Sequence, residues 1–164
     1  MPAVRDHAIT LEMNVPGLRS PYGKVGGIFY FGRMLDKIRL HAAGELPEDY
    51  RANLGKGFDG CITRFLGVNY DALAERVKQG GGDEEILQWC FEHGRKWTND
   101  EELECWNTFM RKVGWNDDVT PTLQRRLKEG GFENRTDVQT IFDYIDLDEG
   151  RDPRERASST ASNS

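Results

Sequence analysis

The sequence has few apolar residues, few histidines and an odd number of cysteines. Hydrophobic residues make up 37% of its 164 positions, and no run of them approaches the roughly 20 residues that cross a bilayer. No charged segment followed by an apolar core marks a secretory leader. Both absences argue against membrane insertion and against export. Cys61, Cys90 and Cys105 include no C-x-x-C pair. That removes a disulfide framework and a zinc ribbon, and predicts reduced, buried thiols in a cytoplasmic protein. No stretch alternates convincingly with period two, so no sheet is expected. The net charge of −6 argues against non-specific binding to nucleic-acid phosphate, which only a local basic patch could support.

The familiar catalytic signatures are missing as well. There is no G-x-x-x-x-G-K-[ST] loop, no nucleophile elbow and no pair of Glu-x-x-His motifs. Asp146-x-Asp148-x-Gly150 opens like a calcium loop but lacks the later ligands. Cys90 and His93 have a metal-binding spacing of three, yet His93 falls within an apolar stripe and is expected as a packed core residue. No metal and no cofactor is expected. The four tryptophans, Trp89, Trp97, Trp106 and Trp115, are not interleaved with Lys or Arg and are assigned to core packing.

What is present is helical periodicity punctuated by glycine. The stretch from Gly26 to Gly44 predicts the central helix. Ile28, Phe31, Met34, Leu35, Ile38 and Ala42 form one broad apolar arc, with Tyr30 and His41 at its edge. Phe29 and Leu40 lie opposite, beside Arg33, Asp36 and Lys37. A helix with apolar residues on both sides is packed on both sides, so those three charges are expected to be at least partly desolvated. Arg33 and Asp36 are spaced to pair, whereas Arg33 and Lys37 repel by roughly 0.2–0.5 kcal/mol. Arg39 adds another cation. Balancing charge must come from elsewhere in the chain, from a partner or from a ligand. Two readings stay open: a structural Arg33–Asp36 pair, or an anion site completed by Arg19 and Ser20 on the glycine-rich approach to the helix.

Further helices are expected near 58–66, 70–79, 83–96, 99–113, 120–129 and 136–148. Asn69 caps the second of these, Thr98-x-x-Glu101 and Thr136-x-x-Gln139 read as capping boxes, and Glu102 as a first-turn acid. Residues 45–57 read as a loop pinned by Tyr50 and Leu54. The expected fold is all-α: a single compact domain of about seven helices over 17–149. A flexible arm at 1–16 precedes it and a disordered tail at 150–164 follows, the tail having no apolar anchor.

Arg19-Ser20-Pro21, Gly26-Gly27 and Arg33-Met-Leu-Asp-Lys-x-Arg39 resemble the opening of the bacterial proteins grouped as domain of unknown function family 5069. Asp83-x-Glu-Ile-Leu-x-Trp89, Trp106-Asn107 and Gly114-Trp115 are similar to it too, and residues 45–57 least so. The resemblance implies a helical domain in a bacterial cytoplasm and supplies no catalytic residue. The expected function is a non-catalytic binding module for a small anionic ligand or a protein partner, with ligand contacts from Arg19, Ser20, Arg33, Asp36 and Lys37. The alternative is an enzyme acting on an anionic metabolite, with Asp36 as its acid or base. Neither nucleic acid nor membrane is an expected partner. Oligomeric state is not legible.

Overall fold

The computed structural model describes residues 15–156. The expectations for residues 1–14 and 157–164 lie outside the described residues. The described chain separates into two compact units, one over Gly17–Met110 and one that joins Pro16 to the residues from Arg111 onward. Eight helices and one two-stranded ribbon are described in full, and residues 153–156 are helical as well.

The first unit opens with the ribbon, β1 Lys24–Val25 and β2 Ile28–Phe29, paired antiparallel. Gly26-Gly27 was expected to open a helix. Instead both glycines take positive φ, 57° and 90°, and form the two-residue hairpin turn that such angles favour. The first helix, α1, then runs Phe31–Ala42. Every residue from Phe31 to Ile38 is buried, charges included, so packing on both sides is confirmed. Ala42 and His41, by contrast, are exposed. The expected 45–57 loop contains one helical turn, α2 Glu48–Arg51, and its deepest anchor is Leu46 rather than Tyr50 or Leu54.

Helix α3 spans Phe58–Leu66, α4 Tyr70–Lys78, α5 Asp83–His93 and α6 Asp100–Lys112. Helix α1 packs against α3 and α4. Asn69 caps α4, its side chain accepting the Ala72 N–H. At α6 the cap is Asn99, which accepts the Glu102 N–H at 2.9 Å, and not Thr98. Glu102 reaches back to the Thr98 N–H and pairs with Arg95, so its carboxyl is held below its ordinary value first by that backbone donor.

Several side chains depart from the expected core. His93 is exposed, stacked on Trp89 at 4.4 Å, and so is no core histidine. Cys90 is buried, which pushes its thiol up to about 12, but Cys105 is exposed and Cys61 half-buried. Among the tryptophans Trp97 is buried and Trp115 is exposed. Of the expected core residues on α6, Phe109 is exposed.

In the second unit α7 spans Thr120–Glu129 and α8 Ile141–Asp148. The last helix therefore starts at a Thr140 cap, which accepts the Asp143 N–H, and not at Thr136. Thr136 to Gln139 is a turn because Val138 N–H bonds back to Arg135 O. The absence of an apolar anchor beyond Gly150 did not leave residues 151–156 loose. Pro153 is buried, and charge does the rest. Arg135 grips Asp152 through two bonds of 3.1 and 2.8 Å. Arg151 meets Glu149 at 2.8 Å, and Arg156 meets Asp146 at 3.1 Å and Asp143 at 2.6 Å.

Deleting residues 151–164 should therefore lower the melting temperature by about 4–8 °C. That corresponds to roughly 2 kcal/mol in a chain of this size. Arg135, followed by Arg154, holds the Asp152 carboxyl below the usual aspartate range. A lowered folded pKa means the contribution is present above the unfolded value, about 3.9, and lost as pH falls through the folded one. Full-length and truncated chains should converge in stability in strong acid. Equal melting temperatures at neutral pH would show that the segment is not held.

Candidate ligand-binding site

The charged residues singled out on α1 do not form one cluster. They divide into a half-exposed network and a buried group on the two sides of the helix.

The half-exposed network is built on Arg19. Its guanidinium lies flat over α1, where only the missing side chain of Gly32 leaves room. A Cβ there would stand 2.5 Å from Arg19 Nη1. From that position Arg19 Nε and Nη2 donate to the two oxygens of Asp36 at 2.7 and 2.9 Å, and its backbone N–H adds a third bond at 3.1 Å. Arg19 Nη1 also pairs with Asp83 at 2.9 Å, and Arg39 bridges Asp83 at 2.7 Å and Asp36 at 3.7 Å. The fork-on-carboxylate geometry is the strong form of such pairs. It raises the Arg19 pKa, chiefly through the Asp36 bond, and lowers that of Asp83 against the opposing cost of its burial. Ser20 belongs to the turn: its Oγ accepts the Tyr22 N–H at 3.1 Å, and its carbonyl accepts the Gly23 N–H.

Gly32→Ala should expel the guanidinium. The lost pairs are partly screened by water, and alanine gains roughly 0.5–1 kcal/mol in a helix. The expected net is a loss of about 1 kcal/mol with a weaker dependence on salt. Unchanged salt dependence in urea unfolding would mean that Arg19 keeps its pairs by another route.

The buried group comprises Tyr30, Arg33, Lys37 and Asp59, with relative exposures of 4, 3, 5 and 0%. Lys37 Nζ lies 2.7 Å from Asp59 Oδ1 and donates to Tyr30 Oη at 2.9 Å. Asp59 Oδ2 accepts the Gly55 N–H at 3.0 Å. Oδ1 meets the ammonium as a charge and has no aligned hydrogen-bond donor. Arg33 Nη1 donates to the Arg19 carbonyl at 3.1 Å, which joins the two groups. Burial and then the Asp59 charge push the Tyr30 phenol well above its ordinary value, and the same two causes raise Tyr70. Both phenols therefore stay protonated.

Tyr30 has φ 70° and ψ −24°, in the left-handed region, where a residue with a Cβ pays roughly 1–2 kcal/mol. It sits there because the chain must turn from β2 into α1 within one residue. Its N–H bonds to Pro21 O at 2.9 Å, and its carbonyl accepts the Met34 N–H to start the helix.

Sequence reasoning brought Arg19 and Asp36 into one cluster correctly but gave Asp36 the wrong partner. Arg33 does not pair with Asp36; Arg19 and Arg39 hold it instead. Asp59 and Asp83 were missed as the acids that answer the cations. Asp59 had a legible signal. It stands three and seven residues before Ile62 and Leu66, on the buried stripe of α3. An aspartate on such a stripe calls for a cation.

Residues 15–151 match the family described as domain of unknown function DUF5069. The chain belongs to that family. The matched span of this family member includes both charged groups and reaches Arg151. No curated protein matches the sequence. Among the described residues, no helix is long and apolar enough to cross a membrane.

Proposed function

We propose that the protein is a cytoplasmic binding protein for a small anionic ligand, taken up at the buried Arg33–Lys37 side of α1 beside Tyr30. One observation carries the reading: Arg33, Lys37 and Asp59 are buried together around a tyrosine with left-handed backbone. Each buried ion costs several kcal/mol, and apolar residues of similar volume would join α1 to α3 as well or better. Desolvated charge and backbone strain concentrated at one point are the marks of a functional site. Arg33 and Lys37 supply charge-assisted donors for carboxylate or phosphate.

An enzyme acting on an anionic metabolite is the second reading, favoured by the 2.9 Å contact between Lys37 and the Tyr30 hydroxyl. In that contact the Lys37 ammonium is the donor, and it would hand a proton to a bound metabolite. Asp36 fits the role of base poorly, since two arginines hold its carboxylate.

The test is thermal unfolding across phosphorylated and carboxylated metabolites, with and without amino groups. A ligand bound only by the native state adds about 2.7 kcal/mol at a hundredfold excess over Kd. Lys37→Met should abolish the ligand-induced shift, whatever it does to the baseline. If none of these compounds moves the native protein, the binding reading fails. Turnover of a compound that does bind would favour the enzyme.

A further inference from the structure

The buried pair places a demand on any ligand that enters. Lys37 and Asp59 side chains are 6% and 0% exposed, and their charges lie 2.7 Å apart. A plain anion that takes the ammonium leaves Asp59 buried without its countercharge. That is the arrangement in which sites reject a ligand most strongly, because the group left behind cannot reach water. Asp59 cannot follow Lys37 outward. It sits in the first turn of α3, and its other oxygen is tied to Gly55 N–H at 3.0 Å. Lys37 can move, since its ammonium ends a flexible four-carbon stem.

We propose that the ligand taken up beside Lys37 is a small zwitterion, a carboxylate or phosphate bearing its own ammonium, and that Asp59 selects it. This rests on the anion-binding reading and narrows it. The ligand's anionic group faces Lys37 and Arg33, and its ammonium faces Asp59. The Lys37–Asp59 pair is exchanged for two, the ligand's anion against Lys37 and its ammonium against Asp59, so Asp59 keeps a countercharge. Asp59 Oδ1 suits the second pair because it is the oxygen that Lys37 gives up on moving, while Oδ2 stays tied to the Gly55 N–H. Tyr30, protonated and next to both charges, can donate to the anionic group.

Matched ligands test this on the native full-length chain by isothermal titration calorimetry: β-alanine against propanoate, and phosphoethanolamine against ethyl phosphate. The expected result is at least about 100-fold tighter binding of an amine-bearing member than of its match, within the discrimination reached when a buried polar partner is left unpaired. In Asp59→Asn that preference should collapse, while the plain anion binds as well or better. If the plain anions bind the native chain as tightly as their matches, the zwitterion proposal is overturned and the anion-binding reading stands. If no member of either pair binds up to tens of millimolar, the zwitterion proposal falls, and the wider metabolite panel decides the anion reading. Because the native chain alone decides these outcomes, a variant that fails to fold does not rescue the proposal.

Discussion

Asp59→Ala should cost about 3–5 kcal/mol of stability, the largest single loss expected in the first unit. The substitution removes a fully buried carboxylate and leaves the Lys37 ammonium, 5% exposed, without its 2.7 Å countercharge. Lys37→Ala should cost a similar amount by the converse route. Either side alone is expensive because an uncompensated ion stays in a medium that solvates it poorly. The pair together need not be. Lys37→Met with Asp59→Leu should recover most of the loss, since two apolar side chains of comparable size fill the same space without desolvating charge. Urea unfolding of the two single variants and the double variant provides the measurement. Additive losses in the double variant would mean that the two residues act separately, and the buried pair would lose its place as the centre of the site.

Gly94→Ala should cost roughly 3 kcal/mol, for a reason unrelated to charge. Gly94 ends α5 with φ −131° and ψ −111°, and a Cβ there would stand 2.0 Å from the Leu66 carbonyl oxygen and 2.9 Å from the Gly67 backbone. Neither neighbour is a side chain that can swing aside. The Leu66 carbonyl is further fixed by the Arg95 N–H at 2.8 Å, and Gly67 caps α3 with φ 69°. The ends of α3 and α5 would have to part, breaking that bond. Overpacking against rigid neighbours reaches the upper part of the usual 1–3 kcal/mol range and can exceed it. A thermal midpoint within a degree of the parent would show that the close approach is not maintained in solution.

Much of the helical framework was legible because it is local. Gly67 and Gly80 stop helices where they were expected to, Asn69 caps where it should, and Leu73 and Val77 face inward at a spacing of four. Errors arose where a local pattern had a competing use. Gly26-Gly27 serves a helix start or a hairpin turn equally well, and the choice depends on what receives the ribbon. Thr136 lost to Thr140 because the preceding turn closes through Arg135. The candidate site was legible in its cations, and among the acids that answer them Asp59 left a signal on the buried stripe of α3 while Asp83 left none. Arg33 and Asp36 are neighbours along one helix, so pairing them was the local inference. Asp36 is instead held by Arg19, 17 residues earlier, and Lys37 is met by Asp59 on another helix. Periodicity shows that a charge is buried, as at Asp59, but not which charge on another element meets it.

The ribbon that carries Tyr30 into α1 has its own dependence. Two residues per strand cannot hold a hairpin in water. Its free backbone is completed by Asn107 of α6, whose Oδ1 accepts the Phe29 N–H at 3.1 Å and whose Nδ2 donates to Gly27 O at 2.8 Å. These bonds join residues 78 and 80 positions apart. A chain emerging from the ribosome at 5–20 residues per second makes Phe29 roughly 4–16 s before Asn107 exists. During that interval the ribbon lacks both Asn107 bonds, and the turn at Tyr30 keeps its bond to Pro21 O without them. The cations of α1 are thus synthesised early and set in place late, when the residue that completes the ribbon arrives.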